Sequence, residues 1–221
     1  MPIFNTLRLL GLLLASSLCG CSAAANLPFS APQVPAAPAR LSVLFVETAG
    51  IDIEKFRPSR EAAIQELTLT FNIEVASQTL GLDLASLMQP IKRHDFADLR
   101  QLIRAKARQD YDIIFITIDQ RTAPPLGYTG YAEGIGLALA RRNSLAYGVL
   151  GSSLLQNKRI ILHELGHLLG AAHSFSGYIL FDSSLIRLAD GFGVKSFNEI
   201  QRHIISRRPF RSPADAASAL K

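Results

Sequence analysis

Residues 163–173 read His-Glu-Leu-Gly-His-Leu-Leu-Gly-Ala-Ala-His, and no other stretch of the chain restricts its fold and chemistry so tightly. On a helix, His163 and His167 stand four residues apart on one face, where two imidazole nitrogens can reach one ion at about 2.0–2.1 Å. Glu164 follows the first of them and points into the same cleft. Gly170 is the residue type that enters the left-handed conformation ending a helix, so the chain can turn back and deliver His173 as a third ligand. Three neutral imidazoles around Zn²⁺ leave a fourth tetrahedral position for water, and Glu164 is placed to take that water's proton as it attacks a carbonyl. The short His-Glu-x-x-His form is a much weaker signal than this extended one.

The run His-Glu-Leu-Gly-His-Leu-Leu-Gly-Ala-Ala-His-Ser resembles the metzincin clan of zinc endopeptidases, and its matrixin branch most, where a serine such as Ser174 follows the third ligand. The resemblance is strong over residues 156–174 and architectural elsewhere. It implies His163, His167 and His173 as zinc ligands, Glu164 as general base, and peptide or protein substrates. It also implies an antiparallel edge strand above the metal with which substrate pairs, matched here to Gly134 to Ala140. One departure is plain: these enzymes carry a methionine in a tight turn beneath the metal, whereas this chain has only Met1 and Met88, with Leu180 at the matching place. Leucine nearly conserves the apolar volume, a swap that usually costs less than about 1.5 kcal/mol. Tyr178 stands near that turn as a packing residue rather than a catalytic helper.

The first forty residues carry no fold signal. Arg8 precedes an apolar run, Leu9 to Leu18, too short to span a bilayer as a helix. Leu18-Cys19-Gly20-Cys21 resembles the bacterial lipobox, which implies diacylation of Cys21 and cleavage before it; an ordinary signal peptide cut near Ala23 to Ala25 is the alternative. With Cys19 removed and Cys21 acylated, the mature chain has no thiol for a disulfide or for cysteine-switch latency. Pro28, Pro32, Pro35 and Pro38 among alanines read as an extended tether. The expected organisation is therefore signal peptide 1–20, tether 21–40, catalytic domain 41–208 and frayed tail 209–221. The expected location is a bacterial envelope, with Ser22 after the acylated cysteine favouring the outer membrane.

The domain reads as α/β (α+β): a mixed, twisted five-stranded sheet with two helices, an active-site helix and a small C-terminal subdomain. Leu41 to Glu47 is a buried first strand. Ser59 is a candidate cap for a helix carrying Ile64, Leu67 and Phe71, and a second strand is expected near Phe71 to Ala76. Asp95 with Asp98 opens a helix whose apolar face is Phe96, Leu99, Leu102, Ile103 and Ala107; Tyr111 to Ile118 is a central strand. Arg121 to Tyr131 reads as loop, Gly134 to Ala140 and Ala146 to Leu150 as short strands, Asn157 to Leu169 as the active-site helix, and Ser196 to Ser206 as a closing helix.

Other candidates carry less. The net charge of +5 is scattered, without a basic stripe interleaved with aromatics, so nucleic acid is not an expected partner. Glu133 reads as a solvated carboxylate, and His94 and His203 as surface or satisfied histidines away from any second ligand cluster. The reading is an envelope-anchored zinc endopeptidase; the alternative is a catalytically silent zinc- or peptide-binding lipoprotein. Intact Glu164 favours the first, Leu180 the second.

Overall fold

The computed structural model describes residues 39–48, 55–123, 125–173 and 194–206. The signal, the tether through residue 38 with Cys21, the segment holding Tyr178 and Leu180, and the tail lie outside the described residues; Ala39 and Arg40, expected in the tether, belong to the first strand.

Five strands form one mixed sheet in the order β2-β1-β3-β5-β4. β1 (Ala39–Thr48) pairs in parallel with β2 (Ile73–Leu82) on one side and β3 (Ile113–Asp119) on the other. β3 pairs in parallel with β5 (Ser144–Leu150), and β4 (Gly130–Ala132) closes the far edge antiparallel to β5. Central parallel strands are covered on both faces, so β1 and β3 read as continuous apolar runs, whereas edge strand β2 alternates and is largely exposed.

Helices cover both faces. Phe45 and Phe115 of the sheet pack with Ala63, Leu67 and Phe71 of α1 (Arg57–Phe71) and with Ile160 and Ile161 of α5 (Leu154–Leu168). The same core takes Ile200 and Ile204 from α6 (Val194–Ser206). On the opposite face, Leu44, Val46, Ile114 and Ile116 pack with Leu87 and Ile91 of α2 (Leu84–Lys92) and with Leu99 and Ile103 of α3 (Phe96–Ala107). Among the described residues no helix is long and apolar enough to cross a membrane.

The local chemistry explains where elements start. Asp95 caps α3 by accepting from the Asp98 backbone N–H at 3.1 Å, as its sequence suggests. Ser59 is not a cap: α1 starts at Arg57, with Pro58 in its first turn and no side-chain cap. The helix expected over Asn157 to Leu169 starts three residues earlier, at Leu154, where Ser153 accepts from Gln156 N–H at 3.3 Å. Asn157 instead braces the turn into that helix, accepting from Gly151 N–H at 2.9 Å and donating to Gly151 O at 3.1 Å.

Two differences from the sequence reading matter for the site. α2 is a helix that the sequence reading leaves unassigned, and it accommodates Pro90 inside its nine residues. The expected strand Gly134 to Ala140 is a turn followed by the short helix α4 (Leu137–Ala140), and the edge strand is Gly130–Ala132, inside the expected loop. Gly136 explains the shift: its φ of 74° breaks an extended path, and its N–H donates to His167 O at 2.9 Å, drawing this segment onto the end of α5.

Candidate metal centre

α5 enters the core as an amphipathic helix and ends fully buried, every residue from Arg159 to Leu168 lying inside. Burial of polar side chains there needs partners. His163 and His167 project from the same face, and the helix stops at Leu168 because Gly170 adopts φ 118°. The chain then folds back, with Gly170 N–H donating to His167 O at 3.0 Å and Ala171 N–H to Gly166 O at 2.9 Å, and brings up His173.

The three Nε2 atoms form a nearly equilateral triangle, with His163 to His167 at 3.1 Å, His167 to His173 at 3.1 Å and His163 to His173 at 3.3 Å. Three ring nitrogens in a triangle cannot all satisfy one another by linear hydrogen bonds. His167 carries the clearest sign of its tautomer: Nδ1 lies 2.7 Å from Ala171 O, so it donates there and leaves the Nε2 lone pair facing its neighbours. Nitrogens bound at about 2.0–2.1 Å to a tetrahedral ion stand about 3.3–3.4 Å apart, so this donor set fits such an ion to within a few tenths of an ångström. The group of His163, His167 and His173 could hold a metal ion.

Glu164 is only 5% exposed, and burial pushes its carboxyl up to about 8. Among the described residues no cation is a cause that offsets that burial; a cation held by the imidazoles would lower the value and favour the carboxylate. The room for its side chain comes from β4. A Cβ on Gly130 would run into Glu164 Oε1 and come within 2.9 Å of Cδ. The close approach of edge strand and helix therefore depends on that glycine.

The far face of β4 carries aromatics. Tyr131 lies opposite Tyr147 of β5, 41% exposed, and its ring stacks near His94, 4.3 Å between centroids. Tyr147 is buried and shares its hydroxyl with His94 Nδ1 at 2.9 Å and Tyr128 at 3.2 Å; burial holds its phenol protonated. His94 is thus a satisfied histidine in an aromatic cluster.

Glu133 is not a solvated carboxylate. Its side chain is 7% exposed, pairs with Arg100 and Arg141, and accepts from Leu145 N–H at 3.2 Å. It fastens the segment after β4 to α3 and β5 and has no part in the imidazole cluster. Of the two readings of His203, surface or satisfied, the half-buried ring fits the second: a Cβ on Gly170 would meet it, and one on Gly136 would come within 3.2 Å of Cε1. Glu199, one turn earlier on α6, accepts from Ala172 N–H at 3.1 Å. Sequence reasoning missed both because their roles depend on where α6 docks.

No protein-family profile and no curated protein sequence matches the chain. Solved structures do. Metalloproteinase-II from Bacteroides fragilis superposes with a TM-score of 0.51 at 15% identity, over 75% of this chain and 53% of that one. The chain thus spans about half the length of the Bacteroides protein. Archaemetzincin from Methanopyrus kandleri superposes with a TM-score of 0.52 at 16% identity, over 79% of this chain and 99% of that one. The mixed five-stranded sheet with its flanking helices is a fold this chain shares with a metalloproteinase and an archaemetzincin.

Proposed function

We propose that the chain is a zinc-dependent endopeptidase of the metzincin type, matrixin-like in its motif and held at a bacterial envelope through Cys21. The observation that carries the reading is the convergence of the His163, His167 and His173 Nε2 atoms, with Glu164 next in sequence to the first and its carboxyl against edge strand β4. A fold shared with a metalloproteinase supports it.

His163, His167 and His173 would hold a zinc ion, which would supply Lewis acidity for acidifying water and polarising a carbonyl. The chain's residues do the rest. His163 and His167 are fixed by the helix, and His167 is further oriented by its bond to Ala171 O. Glu164, next in sequence to a ligand and shielded from solvent, takes the proton of the attacking water and returns it to the leaving amine. β4, the edge strand among the described residues, offers its outer side to an extended peptide, so main-chain hydrogen bonds hold the substrate while side chains select among substrates. Gly130 on that strand keeps the path to the Glu164 carboxylate short.

Metal analysis and a peptide-library cleavage assay on the purified protein test the reading together. The expected result is close to one zinc per chain, loss of that zinc in His167→Ala, and cleavage by the zinc-replete parent. Full zinc retention in His167→Ala overturns the ligand assignment. Zinc binding without cleavage of any peptide places the chain among silent binding lipoproteins. The anchor is tested separately: Cys21→Ser moves the protein out of the membrane fraction, and retention there after a salt wash overturns the lipidation.

A further inference from the structure

Two of the three imidazoles ride on a helix, whereas His173 rides on a short turn outside any helix or strand. Something must hold that turn. The peptide group joining Ala171 to Ala172 is tied at both ends: its carbonyl accepts from His167 Nδ1 at 2.7 Å, and its N–H donates to Glu199 Oε2 at 3.1 Å. Glu199 is half-buried on α6, and His203 one turn later lies against Gly170 and Gly136, which themselves adopt φ values of 118° and 74°. Only glycines allow that ring to sit so close, so α6 is seated directly on the turn.

We propose that Glu199 is a positioning residue of the metal centre, acting through the Ala171–Ala172 peptide on His167 and His173 at once. The inference rests on the metal-centre reading above. A carboxylate accepting from the N–H of a peptide draws charge toward that peptide's carbonyl, and hydrogen bonds in such a chain strengthen one another. The Ala171 carbonyl then holds the Nδ1–H of His167 more firmly, which fixes the ring and makes Nε2 a better donor. The same bond pins the residue just before His173. Histidine ligands commonly lean on a carboxylate directly; here one peptide group stands between carboxylate and ring, and it serves two ligands.

The test is the zinc dissociation constant of the full chain, measured by competition with a chromophoric chelator, together with the visible spectrum of the Co²⁺-loaded protein. Glu199→Ala is expected to weaken zinc binding about 10- to 100-fold, the usual loss when an outer partner of a ligand is removed. Glu199→Gln keeps an acceptor at the same reach and is expected to restore affinity to within about fivefold of the parent, with the parent's cobalt bands. Glu199→Asp withdraws the oxygen by one methylene yet keeps the charge; it is expected to bind about tenfold more weakly and serves where the alanine variant does not fold. Affinity of Glu199→Ala or Glu199→Asp within twofold of the parent overturns the proposal. So does a glutamine variant as weak as the alanine one, because the loss then does not run through the bond to Ala172. A parent that binds no zinc overturns the metal-centre reading itself, a result distinct from either.

Discussion

Glu47, at the carboxyl end of β1, and Glu164, beneath edge strand β4, are both buried acids, and burial raises both. Their surroundings differ. Glu47 is 0% exposed and pairs with Arg60, reaching across from α1; burial outweighs that neighbour and leaves its carboxyl at about 7. Glu164 has a glycine backbone against its carboxyl and follows, in sequence, the first of the three histidines that could hold a metal ion. A buried acid matched by a protein cation is explained by the fold it fastens, here α1 to the sheet. A buried acid whose shift has no protein cation among its causes is the one the proposed chemistry uses. That contrast separates the structural pole of the sheet from the chemical one, and substitutions can pull the two apart.

The largest separation is expected in turnover. Glu164→Gln should lower peptide hydrolysis by about 10²- to 10⁴-fold, the range for a positioned general base, while keeping its zinc. Glu47→Gln should leave the turnover of the folded protein within about twofold. Steady-state kinetics of both variants, normalised to bound zinc, decide the matter. If Glu164→Gln keeps activity, the observed cleavage does not use this carboxylate.

The next effect belongs to Glu47 and appears in stability. Unfolded, its carboxyl titrates at 4.5; folded, it titrates at about 7. Between those values the folded chain holds a proton that the unfolded chain has released, so raising pH through the window lowers stability, by about 3 kcal/mol in full. Below pH 4.5 both states are protonated and this contribution is absent from the slope; above about 7 the loss is complete and flat. Denaturant unfolding of parent and Glu47→Gln across that range should show the parent losing ground to the variant as pH rises. A difference independent of pH would mean that Arg60 keeps Glu47 ionised throughout.

Both poles were unequally legible in the sequence. β1 and β3 announce themselves because strands buried on both faces become apolar runs, and the imidazole cluster is visible because a helix converts spacing of four into a shared face. β4 has three residues, too few to show any alternation, and its residue facing Glu164 is a glycine, which reads as loop. α2 carries Pro90, a residue that disfavours a helix interior. Glu133, Glu199 and His203 were unreadable for one reason: each is defined by a partner far along the chain or on another element. Arg100 stands 33 residues from Glu133, and Ala172 stands 27 residues from Glu199. Local pattern carries ligands on one helix; it does not carry the tertiary contacts that hold them.

The smallest effect probes the glycine that brings the edge strand down onto the chemistry. A methyl at position 130 would meet the Glu164 carboxyl, and either the side chain swings or β4 lifts by part of an ångström. The obstructing atoms are the far end of a flexible side chain, so the fold should survive, with Gly130→Ala within about 1 kcal/mol of the parent in stability. Zinc affinity should be unchanged, because the three atoms nearest a Cβ at that strand position all belong to Glu164 and none to an imidazole. Turnover should fall about tenfold, since a displaced base loses its alignment with the attacking water. The same change at Gly148, where a Cβ would meet Ile160 Cγ2 at 2.9 Å and Phe115 Cζ at 3.0 Å, strikes packed apolar groups instead and should cost about 1–3 kcal/mol of stability. Comparing the two variants by unfolding and by kcat separates a glycine kept for a carboxylate from a glycine kept for the core. Equal losses of stability in both, with turnover untouched in Gly130→Ala, would erase that distinction.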